Sequence, residues 1–498
     1  MNKVRLRLSG AMAFMSNIVS YLTGLIFTVF ITRRLSESDF GVWALIGTFI
    51  SYSLTPFNLV AGWISRDAAR GRKVLGSAAA LFILLTPISI IIYILVVLGL
   101  ATAIKYDPQI MILGLIILIP YIILTLGVSI QSGYAPQNLG VAGIIFETSK
   151  VIIAFYLVVT LKLGLIGALL TLSIAYLIQA SFLLQKSRPL FQRQVRRELI
   201  MKWLRGAPIN LVPVFSAVLG AMDMVLMGLM MTSAIIVGYW QAVVAASALV
   251  TSTHVLMIGL GPRLISGGSQ KDLDTVLNFG MMIAIPVLFG FIALSRDILW
   301  ILRPTYSEAW IAACILALRG VIGVFGSVSS TAIAAKDEFD THDDVSIKDF
   351  IKSKIFLLNK IGLILASLYA AAVACSLLIA QNMGMNTIEV ITIIAILSLI
   401  ITAISTLITI RLMKRLTVLK LTYRPLLKYT GSACIMAAVV YFLRTFIRYP
   451  SNILGAVGAV LLLTIIGALT YGFTLYFTSS EFRRYLKEAY SYIRSFQL

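Results

Sequence analysis

Fourteen stretches of this chain are long and apolar enough to cross the hydrocarbon of a bilayer, and little sequence is left between them. They run roughly over 9–32, 40–65, 76–104, 108–132, 139–161, 163–185, 204–231, 235–260, 276–295, 307–335, 355–380, 387–410, 427–446 and 451–478. A helix rises about 1.5 Å per residue, so some twenty residues cover about 30 Å of hydrocarbon. Helices are the expected form because lipid offers no partner to open backbone groups. Of the 498 residues, 59% are hydrophobic and only 12% charged, against roughly 25% charged in soluble domains. A large soluble domain is thereby excluded. The expected fold class is an all-α polytopic membrane protein. The first span follows Met1–Arg7 and shows no small-residue cleavage pattern, so it reads as a retained helix rather than a removed signal peptide.

A net charge of +21 raises the question of nucleic acid, and its distribution answers it. With the N-terminus inside, 30 of the 41 Lys and Arg residues fall on inner segments and 8 on outer ones; Lys150, Arg319 and Lys360 lie inside spans. That asymmetry is the positive-inside signature, and it puts both termini in the cytoplasm of a multi-pass cell-membrane protein. Arg33 and Arg34 run against it. The basic charge therefore reads as topology and contact with anionic membrane lipids, with no nucleic acid as partner. Cys314, Cys375 and Cys434 all lie in apolar stretches and read as small core hydrophobes rather than a disulfide or zinc framework.

Gly10-Ala11 followed by Gly24, then Phe40-Gly41-Val42-Trp43, returns as Gly206-Ala207, Gly220 and Val237-Gly238-Tyr239-Trp240. Six spans separate the copies, so both enter the membrane in the same direction. That predicts two parallel six-helix bundles around a central cavity, related by an axis along the membrane normal, plus two extra C-terminal helices. The expected parts are an N-terminal bundle over 1–185, a basic amphipathic linker over 186–203, a C-terminal bundle over 204–413, and two added helices with a basic tail over 414–498. The linker reads as a helix lying on the inner membrane surface.

There is no GxxxxGK[ST] loop and no HExxH. Outer loops are short, so the chain is not read as an enzyme, and no cofactor or metal is expected. The acidic run Asp337, Glu338, Asp340, Asp343, Asp344 and Asp349, in the loop 336–352, reads as a solvated linker.

Ionisable groups inside spans are expensive and face a cavity or a partner. Arg319 is the sharpest, near the middle of the tenth span. Its planar fork suits phosphate; the alternative is internal pairing with a carboxylate such as Asp223 in the seventh span. Glu147 and Lys150, at i, i+3 in the fifth span, either cancel each other or line a cavity together. Lys360, beside Asn359, either snorkels to the inner surface or enters a cavity. Asn17 and His254 fit interhelical hydrogen bonds. Three deep cations against two deep anions suit an anionic substrate better than a cationic one.

Residues 10–41, with Gly10, Asn17, Gly24 and then Ile-Thr-Arg-Arg-Leu-Ser-Glu-Ser-Asp-Phe-Gly over 31–41, resemble the start of polysaccharide-export flippases. There a first helix runs into an Arg-Leu-Leu-Ser-Pro-Glu-Glu-Phe-Gly-like turn. Trp63–Arg70 resembles the end of their second helix. The family is the O-antigen and polysaccharide transporter branch of the multidrug/oligosaccharidyl-lipid/polysaccharide exporter superfamily. The likeness is specific over about the first 75 residues and architectural beyond them. It implies flipping of a lipid-linked oligosaccharide, on a polyprenyl or dolichyl phosphate carrier, by alternating access without ATP hydrolysis. It also implies glycan-assembly enzymes as partners. On this reading Arg319, Lys150 and Lys360 neutralise phosphate in a cationic cavity, Asn17, Asn359 and His254 contact sugar hydroxyls, and Arg66 and Arg70 draw the head group to the inner mouth. The thirteenth and fourteenth spans would form a groove for the lipid tail. Asp223 and Glu147 stand for ion coupling or internal pairing. The acidic loop 336–352 is longer than the family pattern and leaves room for a partner. The alternatives are an ion-coupled multidrug extruder, a membrane enzyme acting on polyprenyl-linked sugars, and a non-transporting scaffold.

Overall fold

The computed structural model describes residues 20, 23–104, 106–253, 260, 264, 269–335, 337, 347–417, 423–447 and 452–484. Among these residues every regular element is helical and no strand occurs. The long helices are α1 (Glu37–Ser53), α2 (Thr55–Ala69), α3 (Leu75–Ile104), α4 (Leu115–Tyr134), α5 (Gln137–Ala154), α6 (Gly164–Ser187), α7 (Arg197–Gly206) and α8 (Leu211–Gly220). They continue as α9 (Met222–Met230), α10 (Ala234–Thr251), α11 (Gln270–Leu302), α12 (Trp310–Ala335), α13 (Lys354–Met383), α14 (Thr387–Leu416), α15 (Arg424–Phe446) and α16 (Ile453–Thr478). Eleven helices are long and apolar enough to cross a membrane, or thirteen if each of two bent pairs forms one span. The first sequence span lies largely outside the described residues, so the count agrees with about fourteen, and the protein is a polytopic all-α membrane protein.

Two spans expected to be continuous are broken. The second bends by 55° between α1 and α2, and the seventh by 42° between α8 and α9. Pro56, in the first turn of α2, has no N–H and its ring opposes the carbonyl four residues back, which favours a bend at Leu54. Gly220 ends α8, where glycine is a weak helix former, and Ala221 leaves helical geometry. Groups freed at such breaks need partners inside a membrane. The Ser89 hydroxyl donates to Ser53 O, and Tyr52 Oη donates to Ala221 O at 3.0 Å. Intact helices obey the same rule at their prolines. Pro120 frees Ile116 O, which accepts from Ser173 Oγ at 2.9 Å; Pro286 frees Met282 O, which accepts from Tyr471 Oη at 2.8 Å.

Packing groups the chain into two compact units, Met1–Ala245 with Asp337–Ile401, and Ala246–Lys336 with Thr402–Leu498. In the first unit the glycines of the sequence repeat meet. A Cβ on Gly41 would overlap the Ala234 carbonyl and reach Gly238 N at 3.0 Å, and one on Gly238 would press on Glu37 O and Gly41 N. The contact is reciprocal, as an interface between two related segments must be. Gly41→Ala is therefore expected to destabilise the protein by about 3 kcal/mol, because the obstacle is backbone and cannot rotate away. Gly47→Ala, where a Cβ meets nothing within 4 Å, is expected to leave the melting temperature in detergent unchanged. Equal melting of the two variants would refute the contact.

In the second unit α11 packs against α12, α15 and α16. Arg444, near the end of α15, grips Asp297 of α11 through Nε–Oδ2 at 3.2 Å and Nη2–Oδ1 at 2.9 Å. The cysteines correct one expectation. Cys314 is half-buried against Ser295 Oγ at 3.3 Å, whereas Cys375 and Cys434 are exposed. An apolar residue in a span has two apolar destinations, core and lipid, and hydropathy does not separate them.

Candidate functional site

The break in the seventh span positions Asp223. As the second residue of α9 it sits where unpaired N–H groups and the helix dipole favour a carboxylate. Its Oδ1 accepts from Met224 N at 2.8 Å and its Oδ2 from Tyr369 Oη of α13 at 3.0 Å. Tyr52, from the break in the second span, reaches the adjacent Ala221 carbonyl. A cavity of about 420 Å³ opens beside this cluster, between α1–α2 and α8. Tyr369 and Tyr52 carried no motif in the sequence. Only Pro56 and Gly220, as helix breakers, signalled that these two spans would open here.

Glu147 and Lys150 resolve as a pair. Lys150 Nζ lies 2.7 Å from Glu147 Oε2, and both side chains are 9% exposed. Ser20 Oγ donates to Oε1 at 2.8 Å and Thr23 Oγ1 to Oε2 at 2.6 Å. The ammonium also sits over the rings of Phe27 and Phe146 at 5.1 and 4.9 Å. Lys150 is thus buried with its charge matched by Glu147, the pairing that the i, i+3 spacing allows. The i, i+3 spacing made the pair, and the hydroxyls that complete it come from more than 120 residues away.

Arg319 is different. It lies roughly 14 Å along α12, near mid-depth of a span, and its side chain is exposed. Its Nε–H donates to Thr402 Oγ1 of α14 at 3.2 Å. Within its own unit, among the described residues, it makes no ion pair, and Nη1 and Nη2 carry no hydrogen bond. One edge of the guanidinium is anchored while the other is presented. Gly323 beside it lets Thr402 approach, with 3.7 Å from the methyl to the position a Cβ would take.

Lys360 is exposed and shares a stripe of α13 with the exposed Leu357, Ile364 and Leu368. That is a lipid-facing composition, in which a lysine near a helix start snorkels to the surface. Asn359 is half-buried and makes no side-chain hydrogen bond among the described residues. Asn17 and His254 lie outside the described residues. So do Glu338, Asp340, His342, Asp343 and Asp344 of the acidic loop; Asp337 caps α13, its Oδ2 accepting from Ile355 N at 2.9 Å.

Arg66 stacks over Trp63 at 4.9 Å, and Arg70 lies 3.8 Å from Asp67. Asp67 is the residue the sequence reading passed over. It is 1% exposed and accepts from Arg72 Nη1, Lys202 Nζ and Trp203 Nε1, each at 2.9 Å. Lys202 and Trp203 belong to α7, and Trp203 is fully buried. The amphipathic linker is therefore latched to the end of α2 by its tryptophan face. Its signal was present: a lone acid inside the basic run Arg66–Lys73.

A second cavity, of about 440 Å³, lies in the other unit between α11 and the added helices α15 and α16. Pro286, Val287, Phe291, Met436, Val440 and Leu463 typify its lining. Its polar members are internally satisfied: Thr464 Oγ1 donates to Val460 O at 2.8 Å, and Tyr471 Oη to Met282 O. To a ligand the surface is apolar.

The sequence matches no family model and no curated protein. Solved structures do match. A lipid II flippase in an inward closed conformation superposes with a TM-score of 0.64 at 16% identity, over 96% of this chain and 99% of its own. An inward-facing multidrug-resistance MATE transporter of the MOP superfamily gives 0.55 at 14% identity, over 80% of this chain and 95% of its own. A MATE transporter in a straight conformation gives 0.53 at 16% identity, over 84% and 99%. At these identities the likeness is one of fold, and the chain has the fold of MOP-superfamily transporters.

Proposed function

We propose that this protein is a flippase that moves a lipid-linked saccharide outward across the cytoplasmic membrane by alternating access, without ATP hydrolysis and without enzymatic chemistry. The observation that carries this reading is Arg319, anchored through Nε to Thr402 with its terminal nitrogens open. A guanidinium held by one edge binds a phosphate with the other. The apolar groove along α15 and α16 supports it, having the composition that contact with a polyprenyl or dolichyl tail needs. The flippase fold match takes in 96% of the chain, whereas the multidrug transporters take in 80% and 84%. Two parallel six-helix halves, 1–185 and 204–413, would be joined by the 186–203 linker, with the 414–498 helices added and both termini cytoplasmic. Arg66 and Arg70 would draw the anionic head group to the inner mouth, with Lys360 at the lipid boundary. Asn17, Asn359 and His254 remain candidates for sugar contact. Glycan-assembly enzymes supply and consume such a substrate.

Moving one charge through 100 mV is worth roughly 2.3 kcal/mol, so a diphosphate leaving a negative interior gains about twice that. In vesicles containing a polyprenyl diphosphate saccharide, collapsing the potential with a potassium ionophore is expected to slow flipping. Unchanged rates under collapse, with loss only when a proton or sodium gradient is removed, would move the drive to Asp223 or Glu147. Asp223 favours a second reading, an ion-coupled multidrug extruder, since that chemistry uses a carboxylate deep in a span. Efflux of a fluorescent organic cation with no lipid flipping would select it.

A further inference from the structure

The exposed face of the second span has the wrong composition for lipid. On α3 the exposed positions are mostly large and apolar, Ile83, Leu84, Ile88, Ile91, Leu95 and Leu98, beside Pro87, Gly99 and Thr102. On α1–α2 the exposed positions at helical spacing are Gly47, Ser51, Asn58 and Gly62, with the half-exposed Thr55 between them. The Asn58 amide, facing acyl chains, would go unsatisfied. This face instead meets the cavity of about 420 Å³ beside α8.

Both helix breaks open onto that cavity. Ser51, Tyr52 and Thr55 flank the break at Leu54, and Ala217, Val218 and Ala221 flank the other. Irregular backbone at membrane depth is found where it lines a cavity, and broken spans mark binding sites in transporters. The polar lining is Ser51, Tyr52, Thr55, Asn58 and Asn210, with no charged side chain among the described residues. Part of this capacity is in use: Asn210 Nδ2 donates to Leu59 O at 2.8 Å, Ser51 Oγ to Gly47 O at 3.0 Å, and Tyr52 Oη to Ala221 O. Thr55 and Asn58 make no side-chain hydrogen bond among the described residues.

We infer that this cavity is a subsite for a neutral polyhydroxyl group, the sugar of a lipid-linked saccharide. The inference rests on the proposed flippase reading. An acyl chain would strand the Asn58 amide. A charged group would find no counter-charge in the lining. Hydroxyls and amides each donate and accept, which is the pattern a sugar ring offers in return.

The test uses the full-length protein in nanodiscs and two probes, a polyprenyl diphosphate carrying one neutral hexose and the same diphosphate without sugar. Wild type is expected to bind the sugar-bearing probe about tenfold more tightly, since one or two net hydrogen bonds of about 1 kcal/mol give that factor. Thr55→Val combined with Asn58→Leu should erase the preference and leave the Kd for the bare diphosphate unchanged. Gly62→Val provides a second arm should the double variant fail to fold. A Cβ there meets only Asn210 Nδ2, at 4.0 Å, so the added carbons fill the cavity without touching backbone. A preference that survives in the variants, or equal binding of both probes by wild type, overturns the subsite and leaves the flippase reading standing. Binding of neither probe by wild type overturns the flippase reading, and the subsite with it.

Discussion

Arg319→Ala is expected to reduce lipid flipping by on the order of a hundredfold or more while protein abundance stays near wild type. The magnitude follows from losing two charge-assisted hydrogen bonds to phosphate, about 1.5–3 kcal/mol each. Abundance should hold because the side chain is exposed and its single bond goes to the neutral Thr402; its removal strands no charge in its own unit. Placing an arginine at the centre of a span costs roughly 2.5–3.5 kcal/mol on insertion scales, so its removal is, if anything, favourable to insertion. Arg319→Lys should recover part of the activity, keeping the charge and losing the fork. Thr402→Val should lower activity several-fold, because the guanidinium loses the anchor that aims it. Flipping assays beside quantitative blots separate the outcomes. A well-expressed Arg319→Ala protein with normal flipping would remove Arg319 from the substrate site, and lost abundance would make it an internal structural group.

The second large effect is expected at Asp67. Its carboxylate is buried and holds Trp203, Lys202 and Arg72 at hydrogen-bonding distance. Removing one member of a buried charge cluster costs about 3–5 kcal/mol. Arg72 and Lys202 are 41% and 31% exposed, and water offsets part of their loss, so the lower end, about 3 kcal/mol, is expected for Asp67→Ala. Asp67→Asn, which keeps an acceptor for Trp203 and drops the charge, should fall between. Melting in detergent measures both. Wild-type melting of Asp67→Ala would mean that α7 is held by its apolar contacts alone, among them Trp63 of α2 against Gly206.

The spans were legible because hydropathy is a sum over some twenty residues and survives any rotation of the helix. Thus 76–104 became Leu75–Ile104 and 355–380 became Lys354–Met383. The ninth span, read as 276–295, extends to Gln270–Leu302; its ends carry Asp272, Asp274 and Asp297, whose charge hid them from an apolar window. Gly41 and Gly238 stood out in the sequence, and their close approach, which permits no side chain, appears only in the packed structure. Pro56 and Gly220 stood in the sequence as helix breakers, yet the spans around them were read as continuous, since apolar content alone does not register a bend.

What the sequence could not decide was which way each polar side chain points. Where a helix is apolar around its whole circumference there is no amphipathic stripe to fix its rotation, so Lys150 and Arg319 read alike as deep cations. Tertiary structure separates them. Glu147, one turn back on the same helix, pairs with Lys150, and Ser20 and Thr23 from a distant segment donate to that carboxylate, whereas packing gives Arg319 one neutral neighbour and leaves the far edge open. A single span thus determines, by itself, that it enters the membrane. Whether a charge is then closed off or left open depends on hydroxyl partners more than eighty residues away, which only the packed helices bring to 3.2 Å or less.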